Sequence, residues 1–387
     1  MDSTSLNQTY RLLALCARVE RHPRFEEQLA CQLRDFTAWD ELPAQAELHG
    51  IGPLLWYHFQ SVEVVIPETT HRALRGLYLR HRALNQIHTQ SLLELLTLLD
   101  QRDIRPLVLK GLALAWRAYP DPALRPISDI DLLLAKDELL PALEVLRQAG
   151  YCVATPRSQL KRLPKELTAN SPPRNGISTH IELHHYDPAH RAFNDNAPDN
   201  EFRDFREPPQ CLVIDGCKVY TASPLDTLLY LMRHLRGHLF DARADRPLPL
   251  KWMADILSLV EKQADEIDWY ALCQRDPAFL KHLAVLYSLT PLPEQYKNRL
   301  PIKTAGKLGG MGQYPGGWPQ WPFRTWKNIG FWPYLWRTFS PPSEWWLRLY
   351  YGIDSGSIFW HGQVLYRLRL FQLMGWALVR RLPFIRR

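Results

Sequence analysis

The six cysteines (Cys16, Cys31, Cys152, Cys211, Cys217, Cys273) form no CxxC pair. That argues against a zinc ribbon and fits reduced thiols in a cytosol, packed as small hydrophobes. No stretch of ~20 apolar residues is present, so no ordinary transmembrane helix is expected. The opening MDSTSLNQTYRLLALCARVE lacks a basic start, an unbroken apolar centre and a small-residue cleavage site, so no signal peptide is expected. Acidic residues are scarce in one place. Residues 301–387 hold Glu344 and Asp354 against twelve Lys/Arg. The net charge of the whole chain is only +7, so the remainder is mildly acidic. The same stretch holds nine of the fourteen tryptophans. A basic, Trp-rich region suits contact with something anionic: nucleic acid, an acidic membrane surface or an acidic protein.

What is present is a globular composition. Of 387 residues, 46% are hydrophobic and 22% charged, enough to bury a core. At ~150 residues per domain the length allows two or three domains. Residues 1–100 space their apolar positions at three and four, as in LRGLYLRHRALNQIHTQSLLELLTLLDQR, and read as helical, with a helix start at Pro67 and Glu68. The texture then changes. IRPLVLKG reads as a short buried strand running into a glycine, LALAWRAYP as a helix stopped by Pro120, and DPALRPIS as a loop. DIDLLLA reads as a strand, KDELLPALEVLRQAG as a helix ended by Gly150, and YCVAT as a strand. Residues 156–176, rich in Pro, Lys, Arg and Asn, read as a loop. THIELHHY is an alternating strand, and QCLVIDGCKVYTAS a hairpin turning at Asp-Gly. Helical spacing returns from Pro224 to about residue 290. Four regions result: 1–100 helical, 101–222 an α/β core, 223–300 helical, and 301–387 basic and Trp-rich.

The chemistry concentrates in the core. Asp129 and Asp131 stand two apart on a predicted strand, so both carboxylates point to one face. Adjacent like charges repel, and a packing role alone would not favour them. A divalent cation relieves the repulsion, because Mg²⁺ takes oxygen ligands and leaves positions for phosphates; Mn²⁺ is the alternative. Glu182, on the next strong strand pattern, is the candidate third carboxylate. By itself a DxD pair is a weak signal. Upstream, Gly111 follows a strand and opens a helix, where backbone N–H groups can approach a phosphate, and Lys110 adds a cation beside it.

The order of these elements is that of a polymerase-beta-type nucleotidyltransferase core. The chain resembles the uncharacterised nucleotidyltransferase group of bacterial proteins, a divergent branch of that superfamily. The likeness rests on LVLKGLALAWRAYPDPALRPISDIDLLL (107–134) and IELHH (181–185), and continues through SPLDTLLYLMRHL (223–235) and LKWMADILSLV (250–260). LHGIGPLLWYHF, VIPETTHRALRGLYL and PPSEWWLRLYYG are also similar. The resemblance implies an α+β fold, a small mixed-sheet core flanked by N- and C-terminal helical segments. It matches Asp129 and Asp131 to the metal-binding pair, Glu182 to the third acidic position and Gly111 to the glycine of a Gly-Ser loop. Leu112 departs from the pattern, standing where a serine would help hold a triphosphate. Lys110 and Arg125 then become the candidate nucleotide contacts. The implied reaction moves a nucleoside monophosphate from a nucleoside triphosphate to a hydroxyl acceptor with release of pyrophosphate.

Plainer roles stand beside these. Lys110 could be a solvated strand-end lysine. Arg125 could pair with Asp121 or Asp129 and shape its loop. His184 shares the strand face of Glu182 and could be a ligand, a residue behind the ligands or a satisfied structural histidine. His234 and His238 share a helix face without the context of a zinc site, and Asp255 could meet Lys251 at i−4. The alternative function is a non-catalytic nucleotide-binding or membrane-surface adaptor. For the C-terminal region the readings are a helix packed on the body, contact with an anionic membrane and, more weakly, nucleic acid. The expected location is cytoplasmic, with peripheral contact at the inner membrane face through this region.

Overall fold

The structure, a computed structural model, describes residues 3–154, 166–186, 205–240, 248–297, 330, 332, 344–353, 357 and 360–379. The expected loop falls outside these over residues 155–165. So does the segment YPGGWPQWPFRTWKNIGFWPYLWR, apart from Gly330 and Trp332. The chain forms two compact units. One comprises Met1–Leu15, Arg236–Leu248 and Cys273–Arg387; the other comprises Cys16–Leu235 and Pro249–Leu272. The fold is α+β, as the resemblance implied.

The second unit carries the sheet. Its order is β1 (Leu107–Val108), β2 (Asp129–Ala135), β5 (His180–Tyr186), β4 (Glu166–Asn170), β3 (Cys152–Val153). Only β2 and β5 run parallel; the other neighbours are antiparallel. β4 corrects the loop expected over 156–176. Its Leu167 and Ala169 alternate into the core, and the polar composition around them hid that two-residue period. On the core face of β2 and β5, Ile130, Leu132, Leu134, Ile181 and Leu183 are almost wholly buried. They pack with α7 (Leu139–Gln148) through Leu139, Ala142, Leu143 and Leu146, and with the end of α5 (Glu68–Asp100) through Leu92, Leu95 and Leu99. A separate hairpin, β6 (Gln210–Ile214) and β7 (Cys217–Thr221), turns at Asp215-Gly216, as the sequence indicates.

The 33-residue α5 buries a stripe of spacing three and four: Leu74, His81, Asn85, His88, Leu92, Leu95 and Leu99. Its C-terminal part is apolar and joins the core. Its middle part is polar, because it faces the loop leading into β2 rather than the core. Asn85 Nδ2 donates to the carbonyls of Pro122 (2.8 Å) and Arg125 (2.9 Å), and its Oδ1 accepts from Ile127 N–H. Tyr78 donates to Asp121 at 2.6 Å. His88 Nδ1 lies 3.0 Å from the Thr179 hydroxyl, just before β5. Thus one helix fixes the entries of both parallel strands, and a buried loop that could not otherwise satisfy its backbone is satisfied by side chains. Elsewhere in this unit α9 (Lys251–Gln263) is tied to Arg18 by a fully buried ion pair with Glu261 at 2.6 Å.

The first unit is helical where described. It includes α1 (Ser3–Leu15), α11 (Phe279–Leu286), α13 (Glu344–Tyr351) and α14 (Tyr366–Val379). Trp345 is buried, and its indole N–H donates to the carbonyl of Val285 at 3.3 Å. Among the described residues no helix is long and apolar enough to cross a membrane.

Candidate active site

β2 and β5 are in parallel register with Asp131 opposite Glu182 and Asp129 opposite His180. Residues two apart share a face, so Asp129, Asp131, His180, Glu182 and His184 lie on the face away from the core. Asp131, Glu182 and His184 place one ligand-type atom each within 4.8 Å of one another. His184 Nε2 lies 3.1 Å from Asp131 Oδ1 and 3.7 Å from Glu182 Oε2. His180 Nε2 lies 3.8 Å from Glu182 Oε1. Asp129 stands half-buried at the start of β2, its Oδ1 accepting the Ser128 hydroxyl at 3.0 Å.

Lys110 reaches this cluster because β1 is hydrogen-bonded to β2 and ends beside Asp131; Leu109 N–H donates to the carbonyl of Asp131 at 2.9 Å. The Lys110 ammonium then sits 3.0 Å from Asp131 Oδ1. Gly111 turns the chain between strand and helix at φ 23°, ψ −99°, a conformation L side chains rarely adopt. It is followed by Leu112, which is buried in the core cluster. The rest of α6 (Lys110–Ala118) packs with it.

Electrostatics tighten the group. Burial alone would favour a neutral Asp131, but hydrogen bonding from His184 and the charge of Lys110 hold its carboxyl well below the usual range. Burial alone would also discharge His184. The hydrogen bonds to Asp131 and Glu182 win, and push it up to about 9. Lys110 is likewise held protonated by Asp131 against its burial. Asp131 Oδ1 thus receives both cations. Its Oδ2 is buried and has no hydrogen-bond partner among the described residues. An orphaned carboxylate oxygen inside a protein is costly, and it is the kind of atom a metal ion satisfies. With Glu182 at 20% side-chain exposure alongside, the donor set fits a divalent cation.

Arg125 does not pair with Asp121 or Asp129. Its guanidinium forks onto Asp255, with Nε–Oδ1 at 3.1 Å and Nη2–Oδ2 at 2.8 Å, and both side chains are buried. Tyr119 donates to the same carboxylate at 2.8 Å. Asp255 therefore serves Arg125 and Tyr119, and the expected ion pair with Lys251 is absent. The i, i+4 spacing on α9 was real, but the carboxylate faces inward to a stronger, bidentate partner. Asn85, Asp255 and Lys251 belong to the surroundings of the site, and sequence reasoning assigned none of them to it. The only trace was a polar break in the apolar stripe of α5 and an aspartate amid the apolar run of α9.

The sequence profile described as "Uncharacterised nucleotidyltransferase" matches residues 35–289, well over half of the chain. The chain belongs to this family. None of the curated proteins matches it. Among solved structures it is similar to ANT(2″)-Ia in complex with adenylyl-2″-tobramycin, at 16% identity and a TM-score of 0.31, over 47% of this chain and 94% of that one. It is also similar to an antigenic nucleotidyltransferase-like protein from Paracoccidioides brasiliensis, at 16% identity and a TM-score of 0.29, over 57% and 96% of the two chains. Membership of the family makes nucleotidyl transfer the general activity of this chain.

Proposed function

We propose that this family member is a metal-dependent enzyme that moves a nucleoside monophosphate from a nucleoside triphosphate to a hydroxyl acceptor. The observation that carries the reading is the orphaned Oδ2 of Asp131, opposite Glu182 on parallel strands and beside Lys110. Asp131 and Glu182, with Asp129 two residues earlier on β2, would hold Mg²⁺ or Mn²⁺. When bound, the ion supplies charge neutralisation on the phosphates and acidifies the attacking hydroxyl. His184, charged and hydrogen-bonded to Asp131 Oδ1, positions that carboxylate and leaves Oδ2 for the ion. Lys110 offsets the negative charge that develops beside Asp131. The acceptor oxygen attacks the α-phosphorus in line, a new P–O bond forms, the bond to the β-phosphate bridging oxygen breaks, and pyrophosphate leaves. Glu182, the most exposed of the three clustered side chains, takes the hydroxyl proton.

The test is transfer of label from α-labelled triphosphates, assayed with Mg²⁺ or Mn²⁺ over a panel of hydroxyl acceptors including sugars and proteins. Asp131→Asn is expected to lose activity by roughly two orders of magnitude or more, the range for removing a group that stabilises developing charge, while remaining folded by circular dichroism. Transfer at the wild-type rate by that variant would sink the mechanism. Binding of triphosphate without any transfer would favour the non-catalytic adaptor.

A second observation bears on the C-terminal region. α14 exposes Leu368 and Phe371 beside the exposed Arg367 and Arg369. Apolar and cationic groups on one exposed stretch suit the headgroup layer of an anionic membrane, and peripheral contact there is the partner proposed for this region. Flotation with anionic liposomes is expected to carry the full chain and to fail after charge reversal of Arg367 and Arg369. Equal flotation of both would remove the membrane role.

A further inference from the structure

Besides His184, three cations lie among the carboxylates of Asp129, Asp131 and Asp255, and two of them are already paired. Lys110 sits on Asp131 and Arg125 forks onto Asp255. The third is Lys251, the first residue of α9. Its backbone N–H donates to the carbonyl of His49 at 3.0 Å, which places it against Gly50. Gly50 adopts φ +66°, and a Cβ there would lie 2.8 Å from Lys251 Cδ. The missing side chain of Gly50 is therefore the space along which the Lys251 stem runs. No carboxylate of a described residue pairs with its ammonium, although Asp129, Asp255, Lys110 and Arg125 are all close enough to act on its charge. Burial, joined by the charge of Arg125, pushes that ammonium down to about 8, so it remains largely protonated at neutral pH while lacking a counter-ion. A partly desolvated cation without a partner is costly, and an anion completes it. The anion must also tolerate Asp129 and Asp131, which a bare anion would not. A phosphate chain carrying a divalent cation meets both conditions.

We propose that Lys251 is the receptor for the outer phosphates of the nucleotide, binding the β- and γ-phosphates and so selecting triphosphates over monophosphates. This assignment rests on the nucleotidyl-transfer reading of the same site. It moves the phosphate contact expected of Arg125 onto a residue about 125 positions further along the chain, while Arg125 holds the loop.

The experiment is calorimetric titration of the full chain with Mg²⁺-tripolyphosphate, with the Mg²⁺ complexes of ATP, GTP, CTP and UTP, and with the matching monophosphates. Wild type, Lys251→Ala and Lys251→Arg are compared. Lys251→Ala is expected to lose about tenfold or more in affinity for tripolyphosphate and for the preferred triphosphate, the loss of one charge-assisted contact. Its monophosphate affinity should be unchanged, and Lys251→Arg should stay close to wild type for triphosphates. Without ligand, Lys251→Ala should melt at or above the wild-type temperature, because a desolvated, unpaired charge has been removed. If wild type binds triphosphates and transfers nucleotide but Lys251→Ala binds them equally well, Lys251 is not the receptor and the broader reading stands. If unliganded Lys251→Ala melts several degrees lower, the lysine is structural and the assignment is overturned. If wild type binds neither tripolyphosphate nor any triphosphate, both the assignment and the nucleotidyl-transfer reading fail.

Discussion

Asp131 shows how much one residue's role depends on its partners. Its two oxygens have different fates: Oδ1 receives Lys110 and His184, and Oδ2 receives nothing from the described residues. Asp255 is the contrasting case, since both of its oxygens are engaged, one by Tyr119 and Arg125 and the other by Arg125. The Arg125–Asp255 pair is buried on both sides, at 4% and 0% side-chain exposure. Taking one charge from such a pair leaves the other stranded and costs about 3–5 kcal/mol. Asp255→Ala is therefore expected to lower stability by that amount in urea unfolding, well before any question of activity. A midpoint unchanged from wild type would show that the pair does not hold the loop. The distinction between Asp131 and Asp255 matters for interpreting inactive variants. Loss at Asp131, which also strips Lys110 and His184 of their shared counter-ion, should abolish activity in a chain that still folds, whereas loss at Asp255 is structural.

At the scale of elements, α5 and the hairpin carry the clearest local logic. The polar middle of α5 satisfies the buried loop before β2, so that Asp129 and Asp131 enter the sheet in a fixed register. The β6–β7 hairpin turns on Asp215 at φ 47° and Gly216 at φ 82°, a two-residue turn with both φ positive. Its hand matches the twist of the strands, and glycine is the residue that takes this conformation without strain. Nothing lies within 4 Å of where a Cβ at Gly216 would stand, so the effect of Gly216→Ala is conformational rather than steric. It is expected to destabilise by about 1 kcal/mol, read as a shift of the thermal midpoint with the spectrum of the folded protein unchanged. A stabilised variant would contradict the turn assignment.

For the molecule as a whole, acid is the expected weakness. His58 is fully buried, with Nε2 at 2.7 Å from the carbonyl of Arg18, and burial pushes it down to about 3. His282, in the other unit, is also fully buried, and burial pushes it down to about 3 as well. Both are neutral when folded and take a proton near pH 6.5 when unfolded. Between these values the unfolded chain binds more protons, so stability rises with pH and is lost as pH falls from about 6.5 towards 3. Lowering the pH from 7 to 5 should lower the melting temperature, before most carboxylates titrate. Replacing His58 by Leu should flatten that dependence, and an unchanged slope would exclude His58 as its source.

Much of this protein was legible along the chain. The apolar spacing of α5 through Leu92, Leu95 and Leu99, the alternation in DIDLLLA and HIELHHY, and the Asp-Gly turn are consequences of backbone periodicity, and periodicity is a property of neighbouring residues. That Asp129 and Asp131 share a face followed from the same rule. The tertiary structure decided everything that depends on which strands and helices meet. It set Asp131 opposite Glu182, put the Lys110 ammonium on Asp131, and delivered Arg125 to Asp255 across 130 residues rather than to a nearby aspartate. It also made a strand of Glu166–Asn170, where composition suggested a loop, because β5 offered its unpaired edge. Charge pairing and strand pairing are chosen by distance in space and by burial, and the order of residues in the chain carries neither.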